Sequence, residues 1–123
     1  MRIGSYATAA VLAVGVVACG GGGGSSTPPG PGDPLAGEGL FAQACAACHG
    51  TQGEGVDGFA ASLVGSEFIA VTPDTEMIEF LKRGVTAGDP RNTTGVPMPP
   101  RGGSPTLSDQ DLADIVAWLR TVA

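Results

Sequence analysis

The amino-acid sequence predicts an all-α fold. Three segments each combine a helix-start signal with apolar residues at helical spacing, and no segment alternates between apolar and polar residues as a half-buried strand does. The stretches between these segments, residues 50–58 and 89–105, are rich in Gly and Pro, as loops are. The expected architecture is therefore three main helices joined by long loops.

The first predicted helix begins at Asp33-Pro34. An Asp at the N-cap accepts hydrogen bonds from free backbone N–H groups, and Pro is favoured at the first helical position. Leu35 and Phe41 lie within this helix and are expected in the core.

The second predicted helix begins at Thr72-Pro73-Asp74, with Thr72 as the expected cap, and ends at Gly84. Its apolar side chains recur at helical spacing and predict a buried face: Met77, Ile78, Phe80 and Leu81.

The third predicted helix has the most complete start signal. Ser108 and Asp111 have the spacing of a capping box, and Leu107 is placed to contact Leu112 across the first turn. The apolar stripe continues along the helix as Ile115, Trp118, Leu119 and Val122.

Residues 1–18 are predicted to be a signal peptide, because Arg2 is followed by an apolar stretch at residues 7–18. That stretch is shorter than the roughly 20 apolar residues that span a bilayer, which argues against a retained transmembrane helix.

The signal peptide ends in VVACG at residues 16–20, which resembles the lipobox of bacterial lipoproteins. The resemblance implies that Cys19 is acylated and anchors the protein to a membrane; an ordinary signal peptide cleaved nearby is the alternative. Gly20 lacks the aspartate that in many Gram-negative lipoproteins signals inner-membrane retention, which favours the outer membrane. Residues 19–34 are rich in Gly, Ser and Pro and are predicted to be a flexible linker, so the folded domain is expected over residues 35–123.

The charge balance limits the possible partners. Six basic and twelve acidic residues give a net charge of −6, so nucleic acid is not an expected partner. An acidic surface favours docking to a basic patch on another protein.

The motif CAACH at residues 45–49 predicts covalent attachment of one haem c. The two-residue spacing lets the thiols of Cys45 and Cys48 reach the two vinyl groups of one porphyrin. His49 then lies next to the iron and is the expected proximal axial ligand.

A thioredoxin-like redox pair, a zinc site and a structural disulfide are alternative interpretations of the two cysteines. A redox pair is expected near a βαβ pattern, and a tetrahedral zinc site needs further ligands. The chain has no second His, and its third cysteine is Cys19.

Two methionines after the initiator are candidates for the distal axial ligand. Met77 has Phe80 and Leu81 three and four residues further on, as a core residue of a helix does. Met98 lies among prolines, which restrict the backbone and can hold a thioether towards a metal. Met98 is therefore the predicted distal ligand.

These features together resemble a short bacterial class I cytochrome c over residues 35–122. Gly37 and Phe41 precede Cys45 by eight and four residues, as the glycine and aromatic of the family's first helix do. The pair Trp118-Leu119 is similar to the aromatic-leucine pair of its last helix, and Met98 is followed by prolines as in its distal-ligand loop. The resemblance implies a cytochrome c fold wrapped around one covalent haem, in which the first and last helices cross.

The chain departs from the family at residues 61–63. Many members have a proline followed two residues later by leucine, and the proline carbonyl accepts a hydrogen bond from the proximal histidine. Here Ala61 occupies the proline position, so the carbonyl that orients His49 stays open. Leu63 is expected to pack against the haem.

The resemblance implies an electron-transfer protein rather than an enzyme. We expect a monomer, periplasmic or otherwise extracytoplasmic, that shuttles single electrons between redox partner proteins. An electron-delivery subunit of a membrane or periplasmic oxidoreductase complex is one alternative. A haem sensor or peroxidase, in which Met98 is displaced from the iron, is another.

Overall fold

The computed structural model describes residues 28–123. The predicted signal peptide, Cys19 and the linker up to residue 27 lie outside the described residues. The helices are α1 (Pro34–Ala44), α2 (Ala46–His49), α3 (Glu67–Val71), α4 (Asp74–Arg83) and α5 (Asp109–Val122), with a 3₁₀ turn at Pro100–Gly103. Within residues 28–123, β pairing is limited to two isolated bridges, and none of the helices has the length and apolarity needed to span a bilayer.

The predicted all-α fold is confirmed, and α1, α4 and α5 are the three predicted helices. In α1, Asp33 Oδ1 accepts hydrogen bonds from the backbone N–H groups of Leu35 (2.9 Å) and Ala36 (3.4 Å). In α5, Ser108 and Asp111 form the capping box in both directions. Phe41 is 1% exposed, as expected of a core residue, but Leu35 is 80% exposed because its position in the first turn points away from the other helices.

The predicted cap of α4 is wrong. Thr72 Oγ1 donates a hydrogen bond to the carbonyl of Phe68 (2.6 Å), so its hydroxyl closes the end of α3 instead of the start of α4. Pro73 precedes α4 and offers no side-chain cap. The short helices α2 and α3 were not predicted, since four or five residues are too few to show helical periodicity.

Helices α1 and α5 cross in close contact at Gly37. A Cβ at this position would overlap the backbone carbonyl of Asp114, so only glycine permits this approach. One turn further along α1, the rings of Phe41 and Trp118 are 4.2 Å apart between centroids. The buried side chains of α4 and α5 complete the core around this crossing.

The last residues of the predicted linker contact α5. The Gly30 N–H donates to Gln110 Oε1 (2.7 Å), and the Asp33 N–H donates to Asp114 Oδ1 (2.9 Å). Gly32 lies directly against the backbone of Ala113. Residues 30–33 are therefore packed along the last helix.

The helix crossing yields a prediction with a control in the same helix. Gly37→Ala should lower the free energy of unfolding by about 1–3 kcal/mol, because the methyl group meets backbone that cannot rearrange locally. Gly39→Ala places its methyl group where no atom lies within 4 Å, and should raise stability by up to about 1 kcal/mol through helix propensity. Urea unfolding of both variants measures the difference. Equal effects would show that Gly37 is not a packing constraint.

Candidate functional site

A cavity of about 650 Å³ lies between the helices and the two long loops. This volume is within the range of about 300–1,000 Å³ that cofactor sites occupy. Most of the lining is apolar, and its inner wall includes Phe41 of α1 and Ile115 and Leu119 of α5. The helix crossing therefore also forms one side of the cavity.

The CAACH motif consists of Cys45, which lies between α1 and α2, and of the single helical turn of α2. Cys45 ends α1, and its N–H donates to the carbonyl of Phe41 (2.8 Å). The Cys45 carbonyl then accepts from the N–H groups of Cys48 (3.1 Å) and His49 (3.0 Å). This single helical turn brings both thiols and the imidazole to the cavity wall.

The two cysteines are free thiols in different environments. Cys45 is half-buried and Cys48 is exposed. Burial, and secondarily the neighbouring Cys48, raises the pKa of the Cys45 thiol to about 11. Redox-active cysteines usually have a lowered pKa, so this environment does not favour the thioredoxin-like interpretation. Among residues 28–123, no three Cys, His, Asp or Glu side chains are grouped as metal ligands, so a zinc site has no support there either.

His49 is oriented by a main-chain carbonyl. Its Nδ1 lies 2.9 Å from the carbonyl oxygen of Ala61, so a protonated Nδ1 donates there and leaves Nε2 as the nitrogen that can bind a metal. The Ala61 segment is itself held by a hydrogen bond from the Leu63 N–H to the Gly53 carbonyl (2.7 Å). Ala61 is thus the acceptor that the sequence left open, and Leu63 lines the cavity beside it.

Met98 reaches the same cavity from the loop after α4. Its backbone pairs with Val85 in a two-way bridge, with both N–H···O distances 2.8 Å. Gly84 has φ +69° and lies so close to the Met98 carbonyl that a side chain would overlap it. Met77 also lines the cavity but is 1% exposed within α4. Both methionines are therefore near the site, one from a helix and one from a loop.

Three phenylalanines of the cavity wall were not singled out as site residues from the sequence: Phe59, Phe68 and Phe80. Phe80 was predicted to be a core residue of α4, but its ring packs edge-on to Phe68 at 5.2 Å between centroids. The Arg91 guanidinium lies 5.0 Å from the centre of the Phe80 ring. Hydrogen bonds from Arg91 lower the pKa of the Asp89 carboxyl to about 2, so this ion pair persists over the physiological pH range. Helical periodicity alone does not separate a cavity wall from a core.

The residues present fit a haem c. The cavity has a suitable volume and an apolar lining, as a buried porphyrin needs. Its wall carries two free thiols at the spacing for two thioether bonds, an imidazole with one nitrogen oriented by a main-chain carbonyl, and a thioether from a separate loop.

Comparison with known proteins returned a matching family model and similar solved structures. The model of the family described as cytochrome c oxidase, cbb3-type, subunit III, matches residues 32–119. The structure is similar to that of the c-type cytochrome KustC0563, with a TM-score of 0.48 and 24% identity over 70% of this chain and 95% of that one. It is also similar to the sulfane dehydrogenase SoxCD from Paracoccus pantotrophus, with a TM-score of 0.46 and 24% identity over 77% of this chain and 47% of that one. The comparison with curated proteins returned no match.

The support of His49 by the Ala61 segment can be tested at a glycine. Gly55 has φ +76°, and a Cβ there would meet the backbone of residues 60–62; Gly58 has φ +69°, with no atom within 4 Å of a Cβ. Both Ala variants introduce the strain of a left-handed residue, about 1–3 kcal/mol. Gly55→Ala should lower the free energy of unfolding by a further ~1–3 kcal/mol, because its methyl group displaces the backbone of residues 60–62. Denaturant unfolding of the two variants measures the difference, and equal losses would contradict the packing argument.

Proposed function

Because the chain belongs to the family of cytochrome c oxidase, cbb3-type, subunit III, we propose that it is a single-electron carrier with one covalently bound haem c. Membership in this family makes it a c-type cytochrome, whose function is electron transfer through haem. The observation that carries the finer proposal is the cavity at which the CAACH turn and Met98 meet.

Each residue of the site has one proposed role. Cys45 and Cys48 form the two thioether bonds to the porphyrin. His49 is the proximal axial ligand through Nε2, and Met98 is the distal axial ligand through its thioether. Leu63 packs against the porphyrin, since it lines the cavity next to the segment that orients His49.

The haem, when bound, supplies an iron that changes its charge by one electron. Restraints on His49 and Met98 would hold these side chains in place while the charge of the iron changes. The Ala61 carbonyl fixes the His49 ring (2.9 Å), and the Val85 bridge fixes the Met98 backbone. The apolar wall limits the access of water, which with thioether ligation favours the reduced state. If His49 and Met98 both hold the iron as proposed, neither axial position would be open to a substrate.

The surface charge supports a partner with a basic docking patch. Four of the cationic side chains pair with carboxylates at 2.7–3.0 Å: Lys82, Arg91, Arg101 and Arg120. Because the chain has twelve acidic and six basic residues, the net charge that remains beside these ion pairs is negative. Such complementarity accelerates encounter and depends on ionic strength. We propose a brief encounter over a small interface, as is usual between redox proteins.

We propose that the protein works outside the cytoplasm as a monomer. This proposal includes removal of residues 1–18 as a signal peptide, acylation of Cys19 and a linker that begins there. It is supported by the sequence pattern at residues 16–20 and by the extracytoplasmic location that is typical of c-type cytochromes.

A second candidate function is electron delivery as a fixed subunit of an oxidase. The family description, which is that of an oxidase subunit, favours it. Purification from native membranes in mild detergent separates the two candidates. A stoichiometric complex with oxidase subunits supports the fixed subunit, and a free monomer supports the mobile carrier.

Axial ligation can be tested with a matched pair of substitutions. In the class that the chain resembles, the oxidised holoprotein has a long-wavelength charge-transfer band from methionine to iron. We expect Met98→Leu to abolish this band and to lower the reduction potential, because a thioether ligand raises the potential. Met77→Leu should keep both, since it is a volume-conserving core substitution that costs less than about 1.5 kcal/mol.

Opposite results would change the assignment. Loss of the band in Met77→Leu alone would make Met77 the ligand. A wild-type protein without the band, with a high-spin spectrum that changes on addition of carbon monoxide or peroxide, would indicate an open iron and hence a sensor or peroxidase.

A further inference from the structure

The loop that carries Met98 is organised around one side chain, Asn92. We propose that Asn92 is a positioning residue for Met98: it fixes the loop 86–97 and so keeps the Met98 thioether directed at the cavity. The inference rests on the proposed function, because it takes Met98 to be an axial ligand.

The amide nitrogen of Asn92 joins the two sides of the loop. Nδ2 donates to the carbonyl of Thr86 (3.0 Å) and to the carbonyl of Val96 (2.8 Å). Thr86 follows Val85, whose backbone pairs with Met98, and Val96 lies two residues before Met98. Asn92 therefore joins the two sides of the loop at the residues next to the Val85–Met98 bridge.

The amide oxygen of Asn92 holds the turn that returns to Met98. Oδ1 accepts from the N–H groups of Thr94 (3.1 Å) and Gly95 (2.8 Å), and from the Thr94 hydroxyl (3.3 Å). Both donors and both lone pairs of the amide are thus used. The opposite amide orientation would set like groups against each other, so the network requires an asparagine in this orientation.

The backbone next to Met98 cannot supply these restraints. Pro97, Pro99 and Pro100 have no N–H group to donate. The hydrogen bond from Asn92 to the Val96 carbonyl is consequently the restraint nearest to Met98 on the N-terminal side, beyond its own bridge to Val85. A side chain here replaces main-chain hydrogen bonds that the prolines preclude.

The same loop is part of the cavity wall. Asn92, Thr94 and Val96 line the cavity together with Met98. Asn92 also donates its own backbone N–H to the Asp89 carbonyl (2.8 Å). The loop is separate from the α1–α5 crossing, so a loosened loop should release Met98 without unfolding the helices.

The test compares Asn92→Asp with wild type, Gly88→Ala and Met98→Leu as holoproteins. Asn92→Asp keeps the acceptor arm and turns the donor arm into an oxygen that faces two carbonyl groups. Loss of these hydrogen bonds should increase the population without the Met98–iron bond at least about tenfold at neutral pH. Gly88→Ala, in the same loop, adds a methyl group at an exposed position where no atom lies within 4 Å, and should behave as wild type.

The measured quantities are the methionine-to-iron charge-transfer band, the reduction potential and the far-ultraviolet circular dichroism. Band and potential should fall in Asn92→Asp while the helical signal stays. The band should recover in part as the pH is lowered through the carboxyl pKa of this variant, because a protonated carboxyl can donate one hydrogen bond in place of the two that the amide donates. A merely structural loop residue would not show this recovery.

The outcomes separate the inference from the proposed function. If Met98→Leu keeps the band, Met98 is not the ligand, and the ligand assignment on which the inference rests fails. If Met98→Leu loses the band but Asn92→Asp matches Gly88→Ala, the role of Asn92 is refuted. Should Asn92→Asp give no folded holoprotein, Thr94→Val decides, because it removes the hydroxyl that bonds Asn92 Oδ1 and the Val96 N–H. A weaker band than in Gly88→Ala then supports the inference, and an equal band overturns it.

Discussion

The contact between Gly37 and the backbone of α5 is the constraint on which the site depends. It allows α1 and α5 to cross at the distance of two backbones, with Phe41 stacked near Trp118 one turn later. Since Cys45 is the C-cap of α1, the crossing also fixes where the CAACH turn begins. The wall of the cavity and the start of its motif are thus set by the same helix pair, and a larger residue at Gly37 would move both together.

Much of the helical framework could be predicted because its signals are local. Asp33 with Pro34, and Ser108 with Asp111, specify helix starts within a few residues of chain, and the structure confirms them. Thr72 was misassigned because a hydroxyl before a helix can also close the helix that precedes it. Burial patterns were less reliable: helical spacing marks a face as apolar, but it does not tell a packed core from the wall of a cavity.

The parts of the candidate site that a sequence motif specifies could be predicted. The parts that depend on main-chain hydrogen bonds could not. The CAACH turn and a methionine between prolines can be recognised in the sequence, and both reach one cavity. The acceptor for His49 is a carbonyl of Ala61, and every residue type offers a carbonyl, so composition carries no signal for it. Asn92 resembles an ordinary loop residue, because its partners are backbone groups on both sides of the loop.

The packing of residues 30–33 on α5 has a mechanical consequence. These residues meet α5 at Ala113, whereas Ile115 and Leu119 face the cavity. At about 100° per residue, Ala113 and Ile115 point to nearly opposite sides of the helix. Tension applied through the N-terminus would therefore act on the α1–α5 pair from the side of α5 that faces away from the cavity. The Met98 loop makes none of these contacts, so a pull on the protein would strain α1 and α5 before it displaced Met98 from the cavity wall.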